Sequence, residues 1–293
     1  MHRYLIKSGE TLSKNFKIIK VFLKQLYDEL RRKYLKKKYP NGTFLLCNGA
    51  HVFCDFSSKN YSWYDGNSRY LEYELEVFTS LFNIRSPDVI VDVGSHWGFY
   101  SAFLDKSVFH DKISKLISIE ADPINSGIQE KTLSKLENLN VEQIKAAVSD
   151  ENGYISLYED GGTCLHTYPS PGSVLNGRVQ AISFDTLIEQ LLMNGEALTH
   201  IKMDIDGYEP ALFAGGKYAL KRYKPIIMME FWAKGLKKCE WNLNEYWNML
   251  QNNYFVQEAN FSTRSLNLLK QRDLSYLIKK TNNGITNLVL IPK

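Results

Sequence analysis

The residues of this sequence best able to do chemistry are carboxylates set at the ends of apolar runs. Asp92 stands in Val89-Ile90-Val91-Asp92-Val93, which opens straight into Gly94-Ser95-His96-Trp97-Gly98-Phe99. Glu120 closes Leu116-Ile117-Ser118-Ile119, and Glu230 closes Pro225-Ile226-Ile227-Met228-Met229. Asp204, Asp206 and Glu209 crowd into Asp204-Ile205-Asp206-Gly207-Tyr208-Glu209. An acidic residue at the end of the second strand of an α/β nucleotide fold accepts two ribose hydroxyls through charge-assisted hydrogen bonds. Carboxylates that share a site raise one another's pKa, which suits one of them to act as a general base.

The glycine turn narrows the ligand. A dinucleotide site reads G-x-G-x-x-G, but here Gly94 and Gly98 are separated by Ser95, His96 and Trp97. His96 and Trp97 fill the gap where a small residue would admit a pyrophosphate, so NAD and FAD are disfavoured. A nucleoside with a charged sulfonium tail, S-adenosylmethionine (SAM), fits better. Asp92, Gly94, Ser95, His96, Gly98 and Glu120 are the candidate cofactor residues, the glycines letting backbone approach the ligand. The competing reading is that Asp92 and Glu120 are ordinary strand-end carboxylates. For methyl transfer the donor is already activated, so the protein must position an acceptor and remove its proton. Asp204 and Asp206 are the first candidates for that work and Glu209 the second. Their structural alternatives are that Asp204 orients amides of the glycine turn, Asp206 caps the next helix, and Glu209 sits favourably at a helix N-terminus. Asp204-x-Asp206 with Glu230 or His166 also offers hard oxygen ligands for Mg²⁺ or Mn²⁺. A divalent metal therefore stays open but is not expected, and a nucleotide-sugar glycosyltransferase is the alternative enzyme class. A non-catalytic SAM-fold binding module is the alternative outside enzymes.

Asp92-Val93-Gly94-Ser95-His96-Trp97-Gly98-Phe99-Tyr100-Ser101 resembles the first motif of the FkbM-family SAM-dependent methyltransferases. Ser118–Pro123, Ala146–Asp150, Ile201–Glu209 and Pro225–Glu230 are similar to later family stretches in order and spacing. The resemblance covers roughly residues 70 to 292, and Asp204–Glu209 is its most specific part. It implies SAM as cofactor, adds Ala147 to the cofactor-binding set, and implies O-methylation of a sugar, glycolipid or secondary-metabolite hydroxyl. It also implies a Tyr-Glu pair in the helix before Val89, for which Glu72 and Glu74 both qualify. His96 stands where the family usually has Asn.

These residues need elements to hold them. Strand-like and helix-like runs alternate from Val89 onward, which specifies a mostly parallel sheet with helices on both faces; the resemblance implies that this is the class I methyltransferase (Rossmann-like) arrangement. The expected organisation is a basic amphipathic helical extension over 1–40 and a methyltransferase domain over 41–293. Within the latter, 41–86 holds a hairpin and lead-in helix and 87–293 the core. Phe44–Cys47 and His51–Phe56 around Asn48-Gly49 read as the hairpin, and 70–82 as the helix. Tyr61, Trp63 and Tyr64 before Asp65-Gly66 read as aromatic core or a sugar-stacking platform. Val141–Val148 reads as the third strand, with Tyr154–Tyr158 as an edge hairpin. Gly161 to Gly177 reads as a long functional loop carrying His166 and Tyr168.

The chain has 293 residues, 44% hydrophobic and 23% charged, with net charge +4. Residues 12–39 hold ten Lys/Arg against Asp28 and Glu29, +8, which leaves −4 for the rest. Leu12, Phe16, Ile19, Leu23, Leu26, Leu30 and Tyr34 recur at helical spacing there, before Pro40-Asn41-Gly42. Three readings compete: a helix packed on the body, a peripheral membrane contact through residues 12–39, and a nucleic-acid contact, disfavoured because the body is acidic. No apolar run reaches the ~20 residues of a membrane span, and no signal-peptide pattern is present. Cys47, Cys54, Cys164 and Cys239 show no CxxC pairing, so reduced thiols in a cytoplasm are expected, with contact at the inner membrane surface only under the second of those readings. The expected partner is a small-molecule or glycan/lipid-linked acceptor, with no nucleic acid.

Overall fold

The computed structural model describes residues 26–27, 29–30, 33–39, 42–55, 60–159, 167, 174–260, 263–282 and 284–293; for 60–69 and 159 it describes the backbone alone. In chain order the elements are β1 (Thr43–Leu45), β2 (His51–Phe53), α1 (Asn60–Ser80), β3 (Val89–Val93), α2 (Phe99–Asp105), β4 (Lys115–Ile119), α3 (Pro123–Leu133), β5 (Val141–Ile144), β6 (Ala147–Ser149), β7 (Gly153–Glu159) and β8 (Val174–Ser183). There follow α4 (Phe184–Leu191), β9 (Leu198–Met203), α5 (Glu209–Gly215), α6 (Lys217–Tyr223), β10 (Ile226–Phe231), α7 (Ala233–Lys238), α8 (Leu243–Asn253), β11 (Tyr254–Asn260), β12 (Ser265–Leu268), α9 (Leu274–Lys280) and β13 (Thr286–Pro292).

Eight strands form one sheet in the order β12-β11-β13-β10-β9-β3-β4-β5. The run β5-β4-β3-β9-β10 is parallel, and β13 enters it antiparallel to β10. This is the class I methyltransferase α/β arrangement expected from the sequence. Period-two alternation fills both faces of the sheet. Val89, Val91 and Val93 pack with Phe184, Leu187 and Leu212. Ile90 and Leu116 point the other way, to Phe78, Trp97 and Tyr100. The strand order reverses between β3 and β9, and the crevice at the carboxyl ends there is where such sheets hold ligands.

Several expectations need correction. The third strand is two strands: β5 stays in the large sheet, and β6 joins β8 and β7 in a separate three-stranded sheet. The break at Lys145-Ala146 carries Ala147 out over the ligand crevice. The helix expected over 70–82 begins earlier, at Asn60, runs through Asp65-Gly66 and ends at Ser80; nothing is described of the Tyr61, Trp63 and Tyr64 side chains. The stretch read as a loop to Gly177 is already strand from Val174, and His166 and Tyr168 lie outside the described residues. The β1–β2 hairpin forms its own two-stranded sheet. Cys47, Cys54 and Cys239 are free thiols.

The described part of the N-terminal extension, residues 26–27, 29–30 and 33–38, is helical. The described part of its apolar stripe does not pack on the body: Leu26, Leu30 and Tyr34 are 43%, 57% and 59% exposed. The buried residue is Leu35, 1% exposed, which joins Phe44 and Val52 of the hairpin region in the core. Nine positions beyond Leu26, two and a half turns at 3.6 residues per turn, Leu35 projects from the opposite side. Nothing is described of residues 1–25.

Candidate active site

A cavity of about 320 Å³ opens at the carboxyl ends of β3, β4, β9 and β10. One wall is built from the β3–α2 turn. Gly94 N and Ser95 N both donate to the Ile119 carbonyl at 3.0 Å, which ties the turn to the end of β4. Ser95 Oγ donates to the same carbonyl at 2.9 Å and accepts from Gln129 Nε2. Gly98 adopts φ 85° as the N-cap of α2, a left-handed conformation natural only to glycine. Gly94 has a different reason. A Cβ there would lie 1.8 Å from the Asp204 carbonyl oxygen, and Asp204 N donates to the Val93 carbonyl at 2.9 Å. The glycine lets the ends of β3 and β9 touch, backbone on backbone, instead of making room for a ligand as the sequence reading had it.

Glu120, 8% exposed, lies on the cavity wall with both oxygens held. Oε2 accepts from His96 N and Oε1 from Asp122 N, each at 2.8 Å. Burial pushes its carboxyl up to about 7 against the pull of these two amides. Each oxygen keeps a second lone pair, so the pair can accept two further hydroxyl donors. Asp122 caps α3 through Ile124 N at 2.7 Å and Asn125 N at 3.4 Å. Asn125 Oδ1 in turn receives Trp97 Nε1 at 3.0 Å. His96, at φ 51°, has its ring 4.6 Å from that of Trp97. Burial, with Lys202 nearby, pushes the imidazole down to about 3, so it is neutral at ordinary pH. Ala147 lines the roof with Ala146 and Val148.

Asp92 does not reach the cavity wall. It is the penultimate residue of β3, 1% exposed, and its side chain meets β9 beneath the floor. Lys202 Nζ lies 3.7 Å from Asp92 and 3.5 Å from Asp204, and donates to the Gly94 carbonyl at 3.2 Å. Burial alone would lower the ammonium, but Asp204 and Asp92, then Glu74 and Glu230, carry it above its ordinary value. Burial pushes Asp92 up to about 6 despite Lys202. Sequence reasoning missed Lys202. A lysine between Ile201 and Met203 in a strand buried at every position demands a carboxylate partner, and that was the available signal.

The opposite wall is acidic. Asp204, Asp206, Glu230 and Glu74 all line it. Of Glu72 and Glu74, it is Glu74 that lines the cavity. Its carboxylate accepts from Asn287 Nδ2 of β13, and burial, then Asp204, raise it to about 7. Burial, then Asp204 and Asp206, push Glu230 well up. Asp206 sits at φ 55°, an uncommon conformation for a side chain-bearing residue. Two features hold it there. Gly207 packs so closely that a Cβ would fall 2.3 Å from the Gly235 backbone. Glu209 Oε1 accepts from Ile205 N at 3.2 Å and Gly207 N at 3.3 Å. Glu209 itself is 1% exposed and lies behind the loop, off the cavity wall; burial raises it to about 8. Among the described residues no three or more His, Cys, Asp or Glu are grouped to hold a metal ion.

A parallel sheet with an antiparallel strand inserted beside its fifth member, and a ligand crevice at the switch point, define a class I methyltransferase fold. The family model of the methyltransferase FkbM domain matches residues 92–262, more than half the chain, and the chain belongs to that family. A search of curated proteins finds no match. Among solved structures, the chain is similar to a methyltransferase FkbM from Methylobacillus flagellatus KT at 16% identity and TM-score 0.43, over 75% of this chain and 51% of that one. It therefore spans about half the length of that relative. It is also similar to a methyltransferase from Streptococcus mutans solved with SAH, at 11% identity and TM-score 0.39, over 70% of this chain and 88% of that one. A third is TrmK from M. capricolum with S-adenosyl-homocysteine (SAH), at 10% identity and TM-score 0.38, over 75% and 67%.

Proposed function

We propose that this chain is a SAM-dependent O-methyltransferase acting on a hydroxyl of a small-molecule, glycan or lipid-linked acceptor. The observation that carries the reading is the pairing across one cavity of Glu120, aimed by two backbone amides, with the acidic wall of Asp204, Asp206, Glu230 and Glu74. The donor set fits the cofactor: Glu120 offers two lone pairs to a vicinal diol, and the carboxylates opposite suit a sulfonium cation. When bound, SAM supplies an electrophilic methyl group.

The remaining work falls to the protein's own side chains. Glu120 binds the ribose, while Gly94, Ser95, His96, Gly98 and Ala147 shape the nucleoside wall. Asp92 acts from below, through Lys202. That ammonium bridges Asp92, Asp204 and the Gly94 carbonyl, so it fixes the Asp204 carboxylate relative to the turn. Asp204 anchors the acceptor, and Asp206, at the loop tip, takes up the proton of the acceptor hydroxyl. Glu209 is a positioning residue that holds Asp206 through the Ile205 and Gly207 amides. A neutral hydroxyl is a poor nucleophile, and general-base assistance contributes typically ~10²–10⁴-fold. The reading is tested by calorimetric titration with SAH, then by transfer of radiolabelled methyl to glycan and lipid-linked fractions of the host. No SAH binding would overturn it. Label found only on nitrogen or carbon acceptors would overturn O-methylation.

A further inference from the structure

We infer that the N-terminal helix is a docking device for an anionic membrane surface. The first observation is which side of the helix the body takes. Leu35 alone of the apolar residues in the described segment is fully buried, packed with Phe44 and Val52, while Leu26, Leu30 and Tyr34 stand 43–59% exposed. Their spacing of four places them along one stripe. A stripe that serves the protein's own core faces inward; this one faces out while the residue on the other side is the anchor.

The second observation is charge. Lys33, Lys36, Lys37 and Lys38 are exposed around that stripe, within a segment of ten basic and two acidic residues. The rest of the chain is net negative, so an anionic surface attracts the arm and repels the body. Apolar residues flanked by lysines on one helix are what partitions into a headgroup layer: the stripe enters the acyl boundary and the ammonium groups meet lipid phosphates. A free polyanion would use the charge and leave the stripe in water, and a second copy of the arm would use the stripe but bring like charges together.

The third observation is where the anchor leads. Tyr39 packs its ring on Phe44 at 5.1 Å, and Phe44 meets Phe99 at 6.4 Å; Phe99 lines the cavity. The arm is therefore rooted two aromatic contacts from the ligand site. Docking holds that wall close to the membrane, where a lipid-linked acceptor resides. The last step rests on the proposed function, whereas the docking itself does not.

The test is co-sedimentation of the full chain with phosphatidylcholine vesicles, with and without phosphatidylglycerol. Two variants accompany it: Leu26→Glu/Leu30→Glu, and Lys36→Glu/Lys37→Glu/Lys38→Glu. All five positions are exposed, and an unchanged thermal melt and SAH affinity verify the fold. Binding should require phosphatidylglycerol, weaken with salt, and fall by about tenfold or more in either variant. Equal binding to both vesicle types, or to neither, would overturn the proposal. So would a concentration-dependent dimer lost in Leu26→Glu/Leu30→Glu, which assigns the stripe to a second copy. Salt-sensitive binding to RNA without vesicle binding would overturn it as well. SAH binding that fails while vesicle binding holds would count against the proposed function alone.

Discussion

Replacing Glu120 by Gln tests the cofactor side of the cavity with the smallest change of shape. In the native protein the two carboxylate oxygens each take one backbone amide, His96 N and Asp122 N, at 2.8 Å. Glutamine supplies one acceptor oxygen and one donor NH₂, so one of the two amides faces another donor. A buried donor left unsatisfied costs about 1–3 kcal/mol, and the β3–α2 turn or the α3 N-terminus loosens accordingly. The ribose loses at least one charge-assisted hydrogen bond, worth about 1.5–3 kcal/mol, or roughly a ten- to hundredfold weaker Kd. Calorimetry with SAH, which binds without turnover, reads the second term, and urea denaturation of the unliganded protein reads the first. Because burial holds this carboxyl at about 7, wild-type affinity should also rise with pH through that value and the variant's should not. An unchanged Kd and a shared pH profile would refute the ribose assignment.

Asp206→Asn should keep SAH affinity and lower kcat by ~10²–10⁴-fold; full activity in this variant would remove Asp206 from proton transfer. A chelator should leave wild-type turnover unchanged, and activity lost to chelator and restored by Mg²⁺ would instead make Asp204 and Asp206 metal ligands. Gly94→Ala should destabilise the fold by about 3 kcal/mol or more, summing the left-handed backbone and the collision with the Asp204 carbonyl. Urea denaturation measures it, and a loss under about 1 kcal/mol would contradict the close strand contact. Glu74, Glu120 and Glu209 carry carboxyls raised to about 7, about 7 and about 8. The folded state thus holds protons that the unfolded chain has released, and this stability is full below about pH 4 and lost as pH rises towards 8. Thermal melts of the unliganded protein should show Tm falling from about pH 5 to pH 8, and a rising Tm would reverse the sign of the argument.

Much of the site was legible because its signals are local. A β-branched run, a glycine turn and an acid closing the next run are sequence-adjacent, so β3, β4, Gly98 and Glu120 read directly. What escaped depends on parity and rotation. Asp92 and Glu120 look equivalent in sequence, but Asp92 lies inside its strand and Glu120 just past the end of its own. That difference sends one under the floor and leaves the other on the wall. Glu72 and Glu74 differ by a rotation of α1 that only packing against β13 fixes, through Asn287. The split between β5 and β6 follows from pairing with β8, a strand far ahead in the chain. Leu26, Leu30 and Tyr34 share a helical spacing, but periodicity does not say which way a stripe faces.

The place of β13 in the sheet bears on how the protein is made. It is translated after β11 and β12, yet lies between β10 and β11, so the growing chain holds an open seam until residue 292 has emerged. During that interval β10 offers an unpaired edge to any neighbouring nascent chain. Asn287, which fixes Glu74, arrives on that same strand. The acidic wall is thus assembled from an early helix and a late strand, and a ribosome-stalled chain ending before Thr286 would carry the glycine turn without a finished acidic wall. Synthesis completes the Glu120 wall before it completes the acidic one.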